Sequence, residues 1–176
     1  MSLELFKTIF NKVKNINILQ EEKSRLKPYG IVTIWEDEKI DKNIIFQDKN
    51  LIVNSFFDIM VGLFIPNSNK LITQLALGSG GVINSVLQTP NLNDTVLYTP
   101  LFVKTTYDSV VVEKITSKSI SYNFSISKSE ANGTGTQIYS ELGLLSADGT
   151  MFARKTFQEI VKNSDKEFYI EWKLVF

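Results

Sequence analysis

The chain has 176 residues, and its 19 Lys and Arg balance 19 Asp and Glu, so its formal net charge is zero. This length predicts one domain, and the charge balance argues against a nucleic-acid binder, which usually carries a basic excess. His and Cys are both absent. Their absence excludes disulfides, thiolate nucleophiles, Cys-based zinc sites and the commonest general base. Carboxylate, Lys or Tyr chemistry, oxygen-ligated cations and non-catalytic roles remain.

The first segment, residues 1–27, is predicted to be an amphipathic helical arm that Pro28 ends. Its apolar stripe consists of Leu5, Phe6, Ile9, Phe10 and Val13. The stripe packs either on its own domain or on a partner chain, and the second interpretation makes these five residues a partner-binding site. We expect no secretory signal, and the most apolar window, 56–65, is too short to span a membrane and contains Asp58.

Between residues 29 and 81 the pattern predicts four strands and one short helix. β-branched and aromatic runs place the strands at 29–35, 43–47, 51–53 and 71–77. Asn54 is a helix cap for 55–64, whose apolar side chains cover almost every face, so this helix is expected to be largely buried.

The C-terminal half has the most regular pattern. Strands are predicted at about 98–105 and 110–112, and then in succession at about 119–127, 137–146, 151–161 and 168–176. Turn residues at Asn132-Gly133, Asp148-Gly149 and 163–165 separate the last four strands. The sequence therefore predicts a mainly β protein, whose body, residues 28–176, is a meander of antiparallel strands forming a β-sandwich.

Two loops contain residues that invite a chemical interpretation. Gly78-Ser79-Gly80-Gly81 is not followed by the Gly-Lys-Ser/Thr of a phosphate loop, so we expect a sharp turn that needs the conformational freedom of glycine. Asp94 is expected to accept backbone N–H bonds and fix its own loop, because this stretch offers too few carboxylates for calcium.

Carboxylates lie on or beside the last four strands, and two of them could face each other as in a glycosidase. They are Glu130, Glu141, Asp148, Glu159, Glu167 and Glu171. No spacing demands such a pair. The alternative is cross-strand ion pairs on a solvated face, formed by Glu141 with Arg154 and Lys155, or by Glu171 with Lys173. We therefore predict no catalytic, cofactor or metal site, and we expect Trp172 to lie in the core with Phe168 and Ile170.

Two series of motifs carry a resemblance that covers about residues 29–176. The first joins Leu75-Ala76-Leu77-Gly78-Ser79-Gly80 to Thr89-Pro90 and Asn93-Asp94-Thr95. The second joins Glu141-Leu142-Gly143-Leu144-Leu145 to Asp148-Gly149-Thr150-Met151-Phe152-Ala153-Arg154. In this order the chain resembles small structural proteins of tailed-bacteriophage virions, from tail-fibre, baseplate and neck-associated genes. It departs from their pattern after Thr95, where Tyr98-Thr99-Pro100-Leu101 stands in place of a Glu and an Arg.

The resemblance implies a non-enzymatic virion protein of the tail, baseplate or fibre attachment, assembled in the host cytoplasm. Its expected partners are other virion proteins and symmetric copies of itself, with no nucleic acid, membrane or cofactor. A neck, collar or capsid position is the main variant. A carbohydrate-binding β-sandwich module is the alternative of a different class, and it predicts a surface row of aromatic rings.

Overall fold

The computed structural model describes residues 28–36, 43–62, 70–114 and 118–176, and this part of the chain is mainly β. Its one helix is α1 (Phe56–Gly62). Its strands are β1 (Tyr29–Glu36), β2 (Asn43–Ile52), β3 (Ile72–Gly78), β4 (Val82–Ile83), β5 (Val86–Leu87), β6 (Pro100–Lys104), β7 (Ser109–Glu113), β8 (Ser119–Ile126), β9 (Thr136–Ser146), β10 (Met151–Asn163) and β11 (Phe168–Val175). The predicted arm, with Leu5, Phe6, Ile9, Phe10 and Val13, lies outside the described residues.

All strand pairs are antiparallel, as the sequence predicts. In the described residues, nine strands form one sheet in the order β6-β3-β9-β10-β2-β1-β11-β8-β7, and β4 pairs with β5 separately. β2 links two parts of this sheet: its residues 43–50 pair with β1, and its last two residues, Leu51 and Ile52, pair with Arg154 and Ala153 of β10. The chain therefore changes its pairing partner within one strand.

One core cluster draws residues from both parts of the sheet. Val32, Phe124 and Trp172 come from β1, β8 and β11, whereas Leu75, Leu142 and Phe152 come from β3, β9 and β10. All six side chains are buried. Apolar residues at alternate positions of a strand share one face, so the pattern that predicts β11 also predicts its buried side. Phe168, Ile170, Trp172 and Leu174 are buried, which confirms the core position of Trp172.

The predicted meander is wrong. β9 and β10 do form a hairpin, but β8 pairs with β7 and β11 rather than with β9, and β11 pairs with β1 and β8 rather than with β10. Gly133 has the positive φ expected at its turn. Turn chemistry reverses the chain locally, but it does not decide which strand the next one joins. The segments after β8 and β10 therefore cross to other parts of the sheet.

Three further expectations need correction. Residues 43–52 form one strand, β2, rather than two. The hairpin of β4 and β5 lies in a stretch for which the sequence analysis gives no strand. The helix α1 is present, with Phe56 and Ile59 buried against the core, but Val61 is 64% exposed, so the helix is buried on one side only.

The start of β1 and the end of β11 lie side by side. Tyr29 is paired with Val175, and Gly30 with Leu174, in a register that runs without a shift to Glu36 and Phe168. The first described strand therefore lies next to the last one.

Candidate functional site

Residues from both motif series lie around one buried charge, the guanidinium of Arg154. Arg154 of β10 donates from Nη2 to Oε2 of Glu141 over 2.5 Å and from Nη1 to Oδ2 of Asp94 over 2.7 Å. The side chains of Arg154 and Glu141 are 0% exposed, and that of Asp94 is 13% exposed. The guanidinium carbon of Arg154 lies 3.5 Å from the centre of the Tyr98 ring. Asp94, Tyr98, Glu141 and Arg154 are called the arginine cluster below.

The β9–β10 hairpin places the ion pair. Arg154 is paired with Gly143, and Thr156 with Glu141, so Glu141 and Arg154 lie diagonally on one face of adjacent strands. Gly149, with a φ of 84°, occupies the turn that joins the strands. Since a shift of one residue would turn either side chain to the opposite face, the hairpin register decides whether the pair forms.

Glu141 also holds two loops by their backbones. Its Oε1 accepts hydrogen bonds from the N–H groups of Gly80, at 3.0 Å, and Thr99, at 2.7 Å. Its Oε2 accepts one from the N–H of Tyr98 at 3.0 Å, in addition to the bond from Arg154. A carboxylate offers about four lone-pair sites, so these four bonds occupy the whole acceptor capacity of Glu141. This carboxylate has a structural task that leaves no site for a reacting group.

Asp94 fixes the loop that contains it, as the sequence predicts, but mainly by binding Arg154 rather than several backbone N–H groups. Its Oδ2 accepts one backbone hydrogen bond, from Asn91 at 2.8 Å, and its second contact is the Arg154 guanidinium. Neighbouring polar residues add to the attachment: Thr156 donates from Oγ1 to the carbonyl of Gln88 over 2.6 Å. The stretch that begins after β3 and ends before β6 is therefore tied to β9 and β10 by charged and polar side chains.

The glycines after β3 are needed because neighbouring segments approach them too closely for a side chain, and not because their dihedral angles are unusual. Among the described glycines, positive φ occurs at Gly133, Gly135 and Gly149, and not at Gly78, Gly80 or Gly81. A Cβ on Gly81 would lie 1.8 Å from the Ser140 carbonyl oxygen, and one on Gly80 would lie 2.4 Å from Cβ of Tyr98. The expectation of conformational freedom at this turn was wrong, because the need is for space beside β9.

The predicted pairing of Glu141 with Arg154 occurs, but its predicted place on a solvated face is wrong because both side chains are buried. Lys155 pairs instead with Asp48 of β2, whose side chain is 57% exposed, over 2.5 Å. The alternation of side chains along β10 predicts the face of the strand on which Arg154 lies, but it does not predict that Arg154 is buried. The loop containing Asp94 and Tyr98 covers Arg154 and buries it. No pattern in the sequence predicts that this loop lies over the hairpin.

The other carboxylates singled out in the sequence lie apart from the arginine cluster. Glu130 bonds to Lys104 and to Ser127, and the Lys104 ammonium lowers the pKa of its carboxyl group. Asp148 accepts bonds from Lys70, Ser146 and Thr150, of which the Lys70 contact contributes most to lowering its pKa. Glu141 is the one buried carboxylate of the six.

The described ranges contain neither a metal-binding cluster of acidic residues nor a membrane-spanning helix. No group of three or more Asp and Glu residues there could hold a metal ion. No helix there is both long and apolar enough to cross a membrane. Comparison of the chain with known protein families, curated proteins and solved structures found no match.

Proposed function

We propose that this chain is a non-enzymatic structural protein of a tailed-bacteriophage virion. In this proposal it is a component of the tail, the baseplate or a fibre attachment, it is assembled in the host cytoplasm, and it is present in multiple symmetric copies. A neck, collar or capsid-associated position is the variant of the same proposal.

The observation that carries the proposal is the meeting of both motif series in the arginine cluster. Asp94 comes from the first series, and Glu141 and Arg154 come from the second, although Arg154 is 60 residues from Asp94 along the chain. Gly80 of the first series donates to Glu141. The residues that make the chain resemble phage structural proteins thus share one physical task, which is to hold a loop against a sheet.

We propose further that the body is a two-layered β-sandwich with β2 shared between the layers. One layer would contain β1, β11, β8 and β7, and the other β10, β9, β3 and β6. The common core of residues from both sets supports this arrangement, because side chains from two facing sheets interdigitate in a sandwich. Such a body offers stable surfaces for neighbouring subunits.

In the same proposal, the N-terminal arm docks on another virion protein or on a neighbouring copy through Leu5, Phe6, Ile9, Phe10 and Val13. The proposed arm precedes Pro28, which lies beside the paired start of β1 and end of β11. Its apolar stripe needs a covering surface, because contiguous exposed apolar patches are uncommon on isolated soluble proteins.

The proposal is tested by locating the chain in an intact particle. We expect an electron cryomicroscopy map of the phage that encodes this chain to contain its body in several symmetry-related copies. Deleting residues 1–24 is expected to leave the body folded but to reduce its incorporation into particles. Purified particles that lack the protein by mass spectrometry would refute the proposal.

A second candidate function, carbohydrate binding, rests on one aromatic pair. The register places Trp35 opposite Tyr169, beside Ser125 of the next strand. Both residues line a shallow cavity of about 510 Å³, together with Asp108, Asn123 and Glu171. Aromatic faces flanked by hydrogen-bonding side chains suit a sugar ring.

Glycan-array binding by the purified protein separates the two functions. Binding that is lost in Trp35→Ala and retained in Trp172→Phe, a change confined to the core, would favour carbohydrate recognition. No binding to any glycan would remove this candidate and leave the virion proposal unaffected.

A further inference from the structure

β7 (Ser109–Glu113) is an apolar strand at one end of the nine-stranded sheet. In the described part of the chain it pairs with β8 only. Val110, Val111 and Val112 are 36%, 59% and 52% exposed. An edge strand presents backbone N–H and C=O groups that can pair with another chain, and proteins usually protect such edges with Lys, Pro or a bulge. The centre of β7 has none of these.

The sequence of this segment is complementary to itself when two copies run antiparallel. With Val111 opposite Val111, Val110 lies opposite Val112, and Ser109 opposite Glu113. One step further, the exposed Asp108 lies opposite the exposed Lys114. This register places apolar side chains together at the centre and opposite charges at both ends, which is the favourable arrangement for cross-strand pairs.

We propose that β7 pairs with β7 of a second copy of this chain about a twofold axis that passes beside Val111. The contact is isologous, since each copy contributes the same segment. It deepens the proposed function by naming one contact between symmetric copies, and it rests on that function only for its place in a particle. The pairing joins the sheets of two subunits into one continuous sheet.

The opposite end of the sheet is less suited to this role. β6 (Pro100–Lys104) is also paired on one side in the described residues, with β3, and it exposes Leu101 and Val103. Pro100 has no N–H to donate, and self-pairing about Phe102 would place it opposite Lys104. These features match the protective devices that β7 lacks.

The absence of cysteine in the chain allows a test of the register by disulfide trapping. Directly opposite residues of antiparallel strands have Cα atoms about 4.5–5.5 Å apart, which a disulfide can bridge. We expect Val111→Cys to form a covalent dimer under mild oxidation. We expect Val110→Cys and Val112→Cys to form no covalent dimer when each is oxidised alone, and to form a covalent heterodimer when the two are mixed.

The charged ends provide a second test in solution. We expect Asp108→Lys and Lys114→Asp each to raise the dimer Kd several-fold, because each change creates two like-charge pairs in the dimer. The double variant is expected to recover the wild-type Kd, since it restores opposite charges. Sedimentation equilibrium measures these constants, and circular dichroism checks that each variant is folded.

Val111→Lys and Val103→Lys form a matched pair of edge substitutions. The first is expected to give a monomer by light scattering, and the second to leave the dimer unchanged. A wild-type protein that is monomeric at high concentration, or equal disulfide yields at positions 110, 111 and 112, would overturn the proposal. All of these results are read on the purified protein, so they are independent of whether the chain is found in virions.

Discussion

Arg154 and Tyr98 are in contact through the guanidinium carbon and the aromatic ring, 3.5 Å from the ring centre, although they are far apart in sequence. Tyr98 also donates its backbone N–H to the carboxylate that Arg154 binds. One residue of the loop thus touches both members of a buried ion pair. This contact explains why the loop and the β9–β10 hairpin are expected to unfold together.

Replacing Arg154 is expected to be costly. Arg154→Met removes one partner of the buried pair and leaves the Glu141 charge uncompensated, which typically destabilises a protein by about 3–5 kcal/mol. The matched control is Lys155→Met, because Lys155 pairs with the exposed Asp48. Such pairs contribute about 0–1 kcal/mol. Urea unfolding measures both, and equal losses in the two variants would contradict the structural role given to Arg154.

Gly81→Ala and Gly143→Ala are expected to destabilise the protein by different amounts. In Gly81→Ala the Cβ would meet the Ser140 carbonyl oxygen at 1.8 Å, and a backbone atom cannot move away cheaply. In Gly143→Ala the nearest atoms are the ends of Leu97 and Met151, at 3.2 and 3.3 Å, which can shift. Overpacking typically costs about 1–3 kcal/mol. We expect Gly81→Ala to reach or exceed that range and Gly143→Ala to cost less, as measured by thermal unfolding. The reverse order would refute the close-approach explanation.

Acid is expected to weaken the turn between β9 and β10. Lys70 lowers the pKa of Asp148, so the ionised carboxylate stabilises the folded state. This stabilisation is fully present above the ordinary Asp pKa of about 4 and is lost as the pH falls through the lower pKa of the folded protein. Asp148→Asn is expected to reduce the difference in unfolding free energy between pH 7 and pH 3. An unchanged difference would show that Asp148 contributes little, and Glu130→Gln, at a second carboxyl group of lowered pKa, tests the same sign elsewhere.

Alkaline pH is expected to act through Tyr139. Burial raises the pKa of this phenol to about 12, and its hydroxyl donates to the carbonyl of Ala131 over 2.8 Å. Because the folded pKa lies above the ordinary value of about 10, the stabilisation is complete below pH 10 and is lost as the pH rises towards 12. Tyr139→Phe is expected to flatten the fall in unfolding free energy between these values. Ultraviolet titration should show the loss of one late tyrosinate phase, and a variant with an unchanged titration curve would contradict this assignment.

Several strands follow from the sequence because apolar residues recur at every second position within them. The alternation of Ile120, Tyr122, Phe124 and Ile126 predicts β8, and that of Phe168, Ile170, Trp172 and Leu174 predicts β11. The sequence does not predict which strands pair with β8 and β11. Asn132-Gly133 and Asp148-Gly149 carry similar turn signals, yet only the second joins adjacent strands.

The candidate site is predictable in its parts but not as a whole. The residue types of Glu141 and Arg154 indicate an ion pair, and Asp94 in its loop indicates a backbone attachment. The burial of Glu141 and Arg154 depends on the loop that crosses the hairpin, and contacts between residues 42 to 61 positions apart leave no local pattern in the sequence. The β4–β5 hairpin is hidden for another reason: its turn has positive φ at Asn84 and Ser85, without the glycine that usually marks such a turn.

The pairing of Tyr29 with Val175 has a mechanical consequence. These residues lie at the same end of two antiparallel strands, so tension applied between them would open the β1–β11 ladder one hydrogen bond at a time. Tension applied between Tyr29 and Phe168, at opposite ends of the ladder, would load all its bonds together. The body is therefore expected to resist force applied along these strands far better than force that separates the paired ends of Tyr29 and Val175. A partner attached to the body would be held more strongly if it pulled along the strands.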